Sequence, residues 1–201
     1  MKVFVDTNVI LEYVLQREQY AEAKRAIARV AELKGKMLMT VGGFYTMLFV
    51  VEKYFRKDLQ QNRLDAVAQT RDVMRKVLSL FSVAGHNKSS LLRGINDIQY
   101  NDIEDSCQYQ AAQKAGCEVL LTFNDIDYPV AEGAVPCVMT PQEFLDSLFK
   151  VEFVPLARCE KGLEDMWHSF ESLETESIIF ECKEDSFVPH EVDGILELPK
   201  K

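Results

Sequence analysis

VFVDTNVIL, residues 3–11, sets three strand-like apolar residues, Val3, Phe4 and Val5, directly against a carboxylate, Asp6. Thr7 and Asn8 follow, and the chain then turns apolar again. A core strand that stops on an acid marks either the cap of the next helix or a functional edge of the sheet. Working outward, MLMTV (37–41), LFSVAG (80–85), EVLLTFN (118–124) and the apolar start of PCVMTPQEFLDSLF (136–149) are further short strand candidates. Between them lie segments of helical spacing: 20–34, with Ala23, Ile27, Val30 and Ala31 inward, then 62–79, 88–97 and 100–116. For 62–79 the expected core positions are Leu64, Val67, Ala68, Val73, Val77 and Leu78. Gly42-Gly43 is expected to break the second strand, and FYTMLFVVEKYF (44–55) reads as a buried helix. Thr140 is expected to cap the last helix, with Pro141 at its first position. Strands alternating with helices predict an α/β fold of three layers, a central, mainly parallel sheet flanked by helices.

Beyond Lys150 the texture changes. Residues 151–201 read as an acidic α+β extension packed on a domain formed by 1–150, with a helix around Trp167 and strands at SIIFEC (177–182) and GILEL (194–198). A chain of 201 residues with 47% hydrophobic and 27% charged residues has the balance of a globular protein. It contains no apolar run of about 18 residues, so no membrane span is expected. Its cysteine count is odd, with no C-x-x-C pair, which argues against a zinc site or a disulfide framework and for a reducing cytoplasm. The net charge of −9 is unevenly spread. Residues 17–93 carry fifteen bases against seven acids, residues 94–150 two against ten, and residues 151–201 five against thirteen.

The acids fall at particular places. Asp6 ends a strand, the NDID run (124–127) follows VLLTF, and Asp102 and Asp105 stand three apart at the start of a helix. In an open parallel sheet, ligands bind beyond the carboxyl ends of the strands, so these acids are expected to meet there. Clustered carboxylates raise one another's pKa, and a hard divalent cation, Mg²⁺ or Mn²⁺, is their natural neutralising partner. Such an ion can acidify a water and offset charge on a phosphodiester. Each acid also has a plainer reading, as a helix cap, a dipole-complementing first-turn acid or a solvated loop residue.

VFVDTNVIL (3–11), MTV (39–41), NDIEDSCQYQAA (101–112), LLTFNDIDY (120–128) and VMTPQEFL (138–145) together resemble the PIN domain, the small α/β nuclease fold of VapC-like toxins and RNA-processing enzymes. The resemblance spans about residues 1–150. It implies Mg²⁺- or Mn²⁺-dependent cleavage of RNA by carboxylates. Asp6 then matches the first metal-binding acid, Asp105 the helix acid, and Asn124 or Asp127 the last position. Asp6, Asp105 and Asp127 are the implied metal set, with Asp102 as a fourth catalytic acid. Thr7, Asn8, Thr40, Thr122 and Asn124 are the implied site-orienting residues. The sequence departs from the family at one point: the Glu usual early in the helix after the second strand is absent. Thr46 stands near its place, Glu52 comes about two turns late, and Asp102 or Glu104 is the candidate substitute.

The basic middle offers phosphate contacts, among them Lys24, Arg25, Arg56 and Lys57, and Tyr13, Tyr20, Tyr45 and Tyr54 are candidates for stacking on bases. The resemblance further implies an antitoxin protein as partner and a homodimer. The alternative reading is a non-catalytic RNA- or protein-binding module with a degenerate metal site. A small-molecule phosphatase is weaker, since Asp6-Thr7-Asn8 lacks the D-x-D pair of the haloacid-dehalogenase type.

Overall fold

The computed structural model describes residues 1–131 and 133–152. The extension expected beyond residue 152 lies outside the described residues. Five strands alternate with seven helices: β1 (Lys2–Val5), α1 (Thr7–Leu15), α2 (Tyr20–Glu32), β2 (Lys36–Thr40), α3 (Val41–Lys53), α4 (Arg63–Leu80), β3 (Phe81–Ala84), α5 (Lys88–Asn96), α6 (Ile103–Ala115), β4 (Val119–Leu121), β5 (Cys137–Met139) and α7 (Pro141–Glu152). A π-helical turn, Tyr54–Asp58, continues α3, and a 3₁₀ turn, Asp125–Asp127, follows β4.

Local chemistry sets the boundaries. Asn62 caps α4, its side chain accepting from the amides of Leu64 and Asp65, each at 3.0 Å. Asn87 and Ser90 form a reciprocal capping box on α5. Thr140 caps α7, its hydroxyl accepting from the Glu143 amide at 3.2 Å, and Pro141 takes the first helical position as expected. Gly116, at φ +67, closes α6 in the left-handed region that glycine adopts without a steric penalty.

All strand pairs are parallel, in the order β3-β2-β1-β4-β5. Alternation along β1 sends Val3 and Val5 to one core and Phe4 to the other. The larger core joins α1, α2, α3, α4 and α7 through residues such as Ile10, Ile27, Val51, Val73 and Phe144. The smaller one joins Phe4, Leu38 and Leu120 to Tyr109, Ala111 and Ala112 of α6. The chain therefore changes sheet face between β3 and β4, and β1 and β4 flank the resulting switch point.

Four expectations are corrected. The second strand stops at Thr40, one residue earlier than expected, and Gly42 and Gly43 form no break but lie in the first turn of α3, whose N-cap, Thr40, accepts from the Gly43 amide at 2.9 Å. α3 is not buried all round, because Tyr45 is 65% and Phe49 67% exposed, while Met47 and Val51 face the core. In α4 the inward face is Ala66, Thr70, Val73, Met74 and Val77, which leaves Leu64, Ala68 and Leu78 exposed. β4 also stops at Leu121, three residues short of the expected strand. No helix among the described residues is long and apolar enough to cross a membrane.

Candidate active site

β1 alternation places Asp6 on the same face as Phe4, toward α6. Its backbone N–H donates to the Leu121 carbonyl at 2.9 Å, so the strand pairing itself fixes where the carboxylate begins. Asp6 occupies the N-cap position of α1, yet its side chain makes no capping bond. Instead Oδ2 accepts from Asn8 Nδ2 at 2.9 Å and from Thr122 Oγ1 at 2.8 Å. Asn8 Nδ2 also reaches Thr122 Oγ1 at 3.0 Å, and its Oδ1 accepts from the Phe123 amide at 3.3 Å. Thr122 Oγ1 further accepts from the Asn124 amide at 3.0 Å. The loop after β4 is thus tied to the loop after β1 by one compact network.

α6 delivers the second acid. Asp102 is its N-cap, accepting from the Glu104 amide at 2.7 Å, and is exposed. Asp105, one turn in, is buried at 8% exposure and accepts from the Tyr128 hydroxyl at 3.4 Å. Burial raises the Asp105 carboxyl to about 7, helped by the charges of Asp6, Asp102 and Asp127. Asp6, 3% exposed, is likewise pushed up by burial, an effect opposed by hydrogen bonds from Thr122 and Gln108. Glu104 is raised by burial and by Asp102 and Asp6. These couplings bring Asp6, Asp102, Glu104, Asp105 and Asp127 within one electrostatic neighbourhood, although they come from three separate stretches of chain. Of the two substitutes for the missing Glu, Glu104 is the one that senses Asp6 directly.

The other sequence-derived residues spread more widely. Thr7 is buried with its hydroxyl against Gly43, where a Cβ would lie 2.5 Å from Thr7 Oγ1. Thr40, also buried, spends its hydroxyl on capping α3 rather than on an acid. Asn124 is exposed, and its carbonyl accepts from the Asp127 amide at 3.0 Å. Thr46 is exposed, and Glu52 pairs with Arg56 at 3.5 Å. Arg56 and Lys57 line a cavity of about 310 Å³ with Phe49, Glu52 and Lys53, and none of the clustered acids belongs to it. Arg25 donates to Gln142 of α7 at 3.0 Å, and the Lys24 ammonium lies 5.9 Å from the Tyr20 ring centre. Tyr13 is buried, whereas Tyr45 is exposed.

Two participants escape a reading of the sequence. Gln108 sits one turn beyond Asp105, 4% exposed, with its amide acting on Asp6. Tyr128, also buried, packs edge-on against Tyr100 at 5.9 Å while its hydroxyl meets Asp105. The helical i, i+3 spacing puts Gln108 on the face of Asp105, but no apolar stripe along α6 marks that face as buried.

The donors that converge here are oxygen atoms, the preference of a hard cation. Among the described residues no three His, Cys, Asp or Glu side chains close into a metal-holding group. Two carboxylates are the number Mg²⁺ commonly takes when water and phosphate complete its shell. Residual repulsion between Asp6 and Asp105, together with a buried Gln108 Oε1 that lacks a hydrogen-bond partner, suits such a partly hydrated ion.

A parallel sheet with paired acids at its switch point defines a class of carboxylate-centred α/β domains. The comparisons make this specific. The family model described as PIN domain matches residues 2–125, more than half of the sequence, and the chain belongs to the PIN domain family. It is 25% identical over 151 residues to Ribonuclease VapC1 of Aquifex aeolicus (strain VF5), covering 72% of this chain and 94% of that protein. Solved structures similar to it include a toxin–antitoxin complex from Klebsiella pneumoniae, at 20% identity and a TM-score of 0.49 over 69% of this chain and 97% of that one. Another is VapBC-1 from nontypeable Haemophilus influenzae, at 17% identity and a TM-score of 0.46 over 63% and 90%.

Proposed function

We propose that this protein is an endoribonuclease of the PIN type in which Asp6 and Asp105, with Asp127 and Asp102 in support, hold Mg²⁺ or Mn²⁺. The observation that carries the reading is the meeting of Asp6 and Asp105, two buried acids from remote parts of the chain, at the switch point of the sheet. Family membership and the ribonuclease relative support the reaction class. When bound, the ion would acidify a water and offset charge on the phosphodiester. Asn8 and Thr122 orient the Asp6 carboxylate, Tyr128 steadies Asp105, and Glu104 takes the part of the missing helix-three acid. The resemblance to VapC-like toxins extends the proposal to a toxin acting in the cytoplasm, with an antitoxin protein as partner and a homodimer as its assembled form.

A binding module with a degenerate site is the second reading, favoured by the lack of a three-ligand group among the described residues. Titration of Mn²⁺ into the protein with a single-stranded RNA substrate separates the two. The enzyme reading requires cleavage that rises with Mn²⁺ and falls at least 100-fold in Asp6→Asn and in Asp105→Asn, the scale expected when a charged catalytic group is lost. RNA binding indifferent to Mn²⁺, with no cleavage at any concentration, would leave the module reading standing.

A further inference from the structure

Gln108 lies on α6 one turn beyond Asp105, so the two side chains share a helix face. It is 4% exposed and stands close enough to Asp6 for its amide to hold that carboxyl's pKa down against the effect of burial. Only the amide nitrogen can play that part, because the amide oxygen and a carboxylate are both acceptors. The orientation of the group is therefore set, and it leaves Oε1 on the other arm of the same amide. That oxygen is buried without a hydrogen-bond partner among the described residues. Burying an amide carbonyl unpaired is unfavourable, and an apolar side chain of equal length would fill the space without that cost. The contribution of this amide thus lies outside fold stability. It stands between the helix that carries Asp105 and the strand end that carries Asp6, and it brings an acceptor with no partner among the described residues.

We propose that Gln108 is a positioning residue that fixes the gap between the Asp6 and Asp105 carboxylates, its N–H₂ holding Asp6 and its Oε1 accepting a hydrogen bond from a water of the hydrated divalent cation. The inference rests on the carboxylate-site reading above. It assigns to a neutral side chain the task of keeping two repelling acids at the separation an ion requires. Groups that orient metal ligands in this way change metal affinity or activity by about 10- to 100-fold when removed.

The test compares the full-length protein with Gln108→Met and Gln108→Leu, which keep the volume and lose the amide, and with Asp6→Asn. Three quantities are measured: the thermal midpoint without metal, Mn²⁺ affinity from the electron paramagnetic resonance signal of free Mn²⁺, and kcat and KM on single-stranded RNA. The expected result for both Gln108 variants is an unchanged or raised metal-free midpoint, Mn²⁺ affinity weakened about 10-fold or more, and kcat lowered with KM retained. Mn²⁺ affinity and kcat within twofold of the parent, while Asp6→Asn abolishes both, would overturn the role of Gln108 and leave the carboxylate site intact. Unchanged Mn²⁺ affinity in Asp6→Asn would instead overturn the site reading. A lowered midpoint with normal Mn²⁺ affinity assigns Gln108 to packing alone. Failure of both variants to fold also overturns the proposal, which requires the amide to be dispensable for the fold.

Discussion

Asp105 takes up a proton on folding. Its ordinary value is 3.8, burial and three neighbouring acids lift it to about 7, and so the native state binds more protons than the unfolded chain between those limits. The contribution of Asp105 to the stability of the metal-free protein is therefore fully present below about pH 4 and is lost progressively as the pH rises through about 7. Asp105→Asn removes the charge but keeps an acceptor for Tyr128. It is expected to raise the metal-free thermal midpoint at pH 8 by roughly 3 °C or more, with a gain that shrinks toward pH 5; a gain equal at both pH values, read by circular dichroism, would contradict it. At this scale the sequence was informative where a residue terminates a strand. Asp6, Asn8 and Thr122 stand out because an apolar run stops at them. Gln108 does not, because α6 buries Asp105, Ser106, Gln108, Tyr109, Gln110, Ala111 and Ala112, nearly all round its axis. With no single apolar stripe there is no periodic signal against which a buried amide could be seen.

Among the elements, α5 and α6 pack most closely where Gly94 meets Cys107. A Cβ on Gly94 would lie 2.8 Å from Cys107 Sγ and 3.1 Å from its backbone N and Cα, which cannot yield as a flexible side chain can. Gly94→Ala must displace α6, and with it Asp105 and Gln108. The expected cost is about 1–3 kcal/mol, accompanied by weaker Mn²⁺ binding. Asn62→Ala, which removes the α4 cap, is expected to cost about 1 kcal/mol and to leave Mn²⁺ binding unaltered. Urea unfolding of both variants beside Mn²⁺ titration checks the pair, and equal effects on metal binding would break the argued link between helix position and site. The strands were readable because each is a short apolar run ended by Gly, Asp or Thr. The two helices misjudged in detail, α3 and α4, show opposite failures. The apolar residues of 44–55 are too dense to define a face, so Tyr45 and Phe49 gave no hint that they point outward. In α4, small Ala66 and polar Thr70 take inward positions that larger residues were expected to hold, while Leu64 and Leu78 are left in solvent.

Across the described residues, charge is divided along the chain. The basic stretch 17–93 builds α2, α3 and α4 against the larger core, while the acidic stretch 94–150 builds α6 and the loop after β4 beside Asp6. On the proposed function, a polyanion would be attracted to the former and repelled by the acids of the latter until a cation neutralises them. Arg56 and Lys57 border one cavity beside exposed Phe49. The double variant Arg56→Glu, Lys57→Glu is expected to weaken binding of single-stranded RNA and to reduce the slope of log affinity against log salt by about 2, one for each lost phosphate contact. Its Mn²⁺ affinity should match the parent. Fluorescence anisotropy across a salt series measures the slope, and an unaltered slope would remove these two residues from the RNA interface.

The central position of β1 governs when the acid pocket can exist. The strand that leads into Asp6 is also the middle strand of the sheet, and its second neighbour, β4, follows in the chain only after β2, β3 and α6. Until Thr122 and the loop beyond it emerge, Asp6 lacks the hydroxyl that orients it, and until α6 docks it lacks Asp105. A nascent fragment that ends before β4 consequently has no assembled centre, whatever portion of β1, β2 and β3 has already paired. The strand order thus acts as a timer, holding back assembly of the acid pocket until most of the described chain is in place.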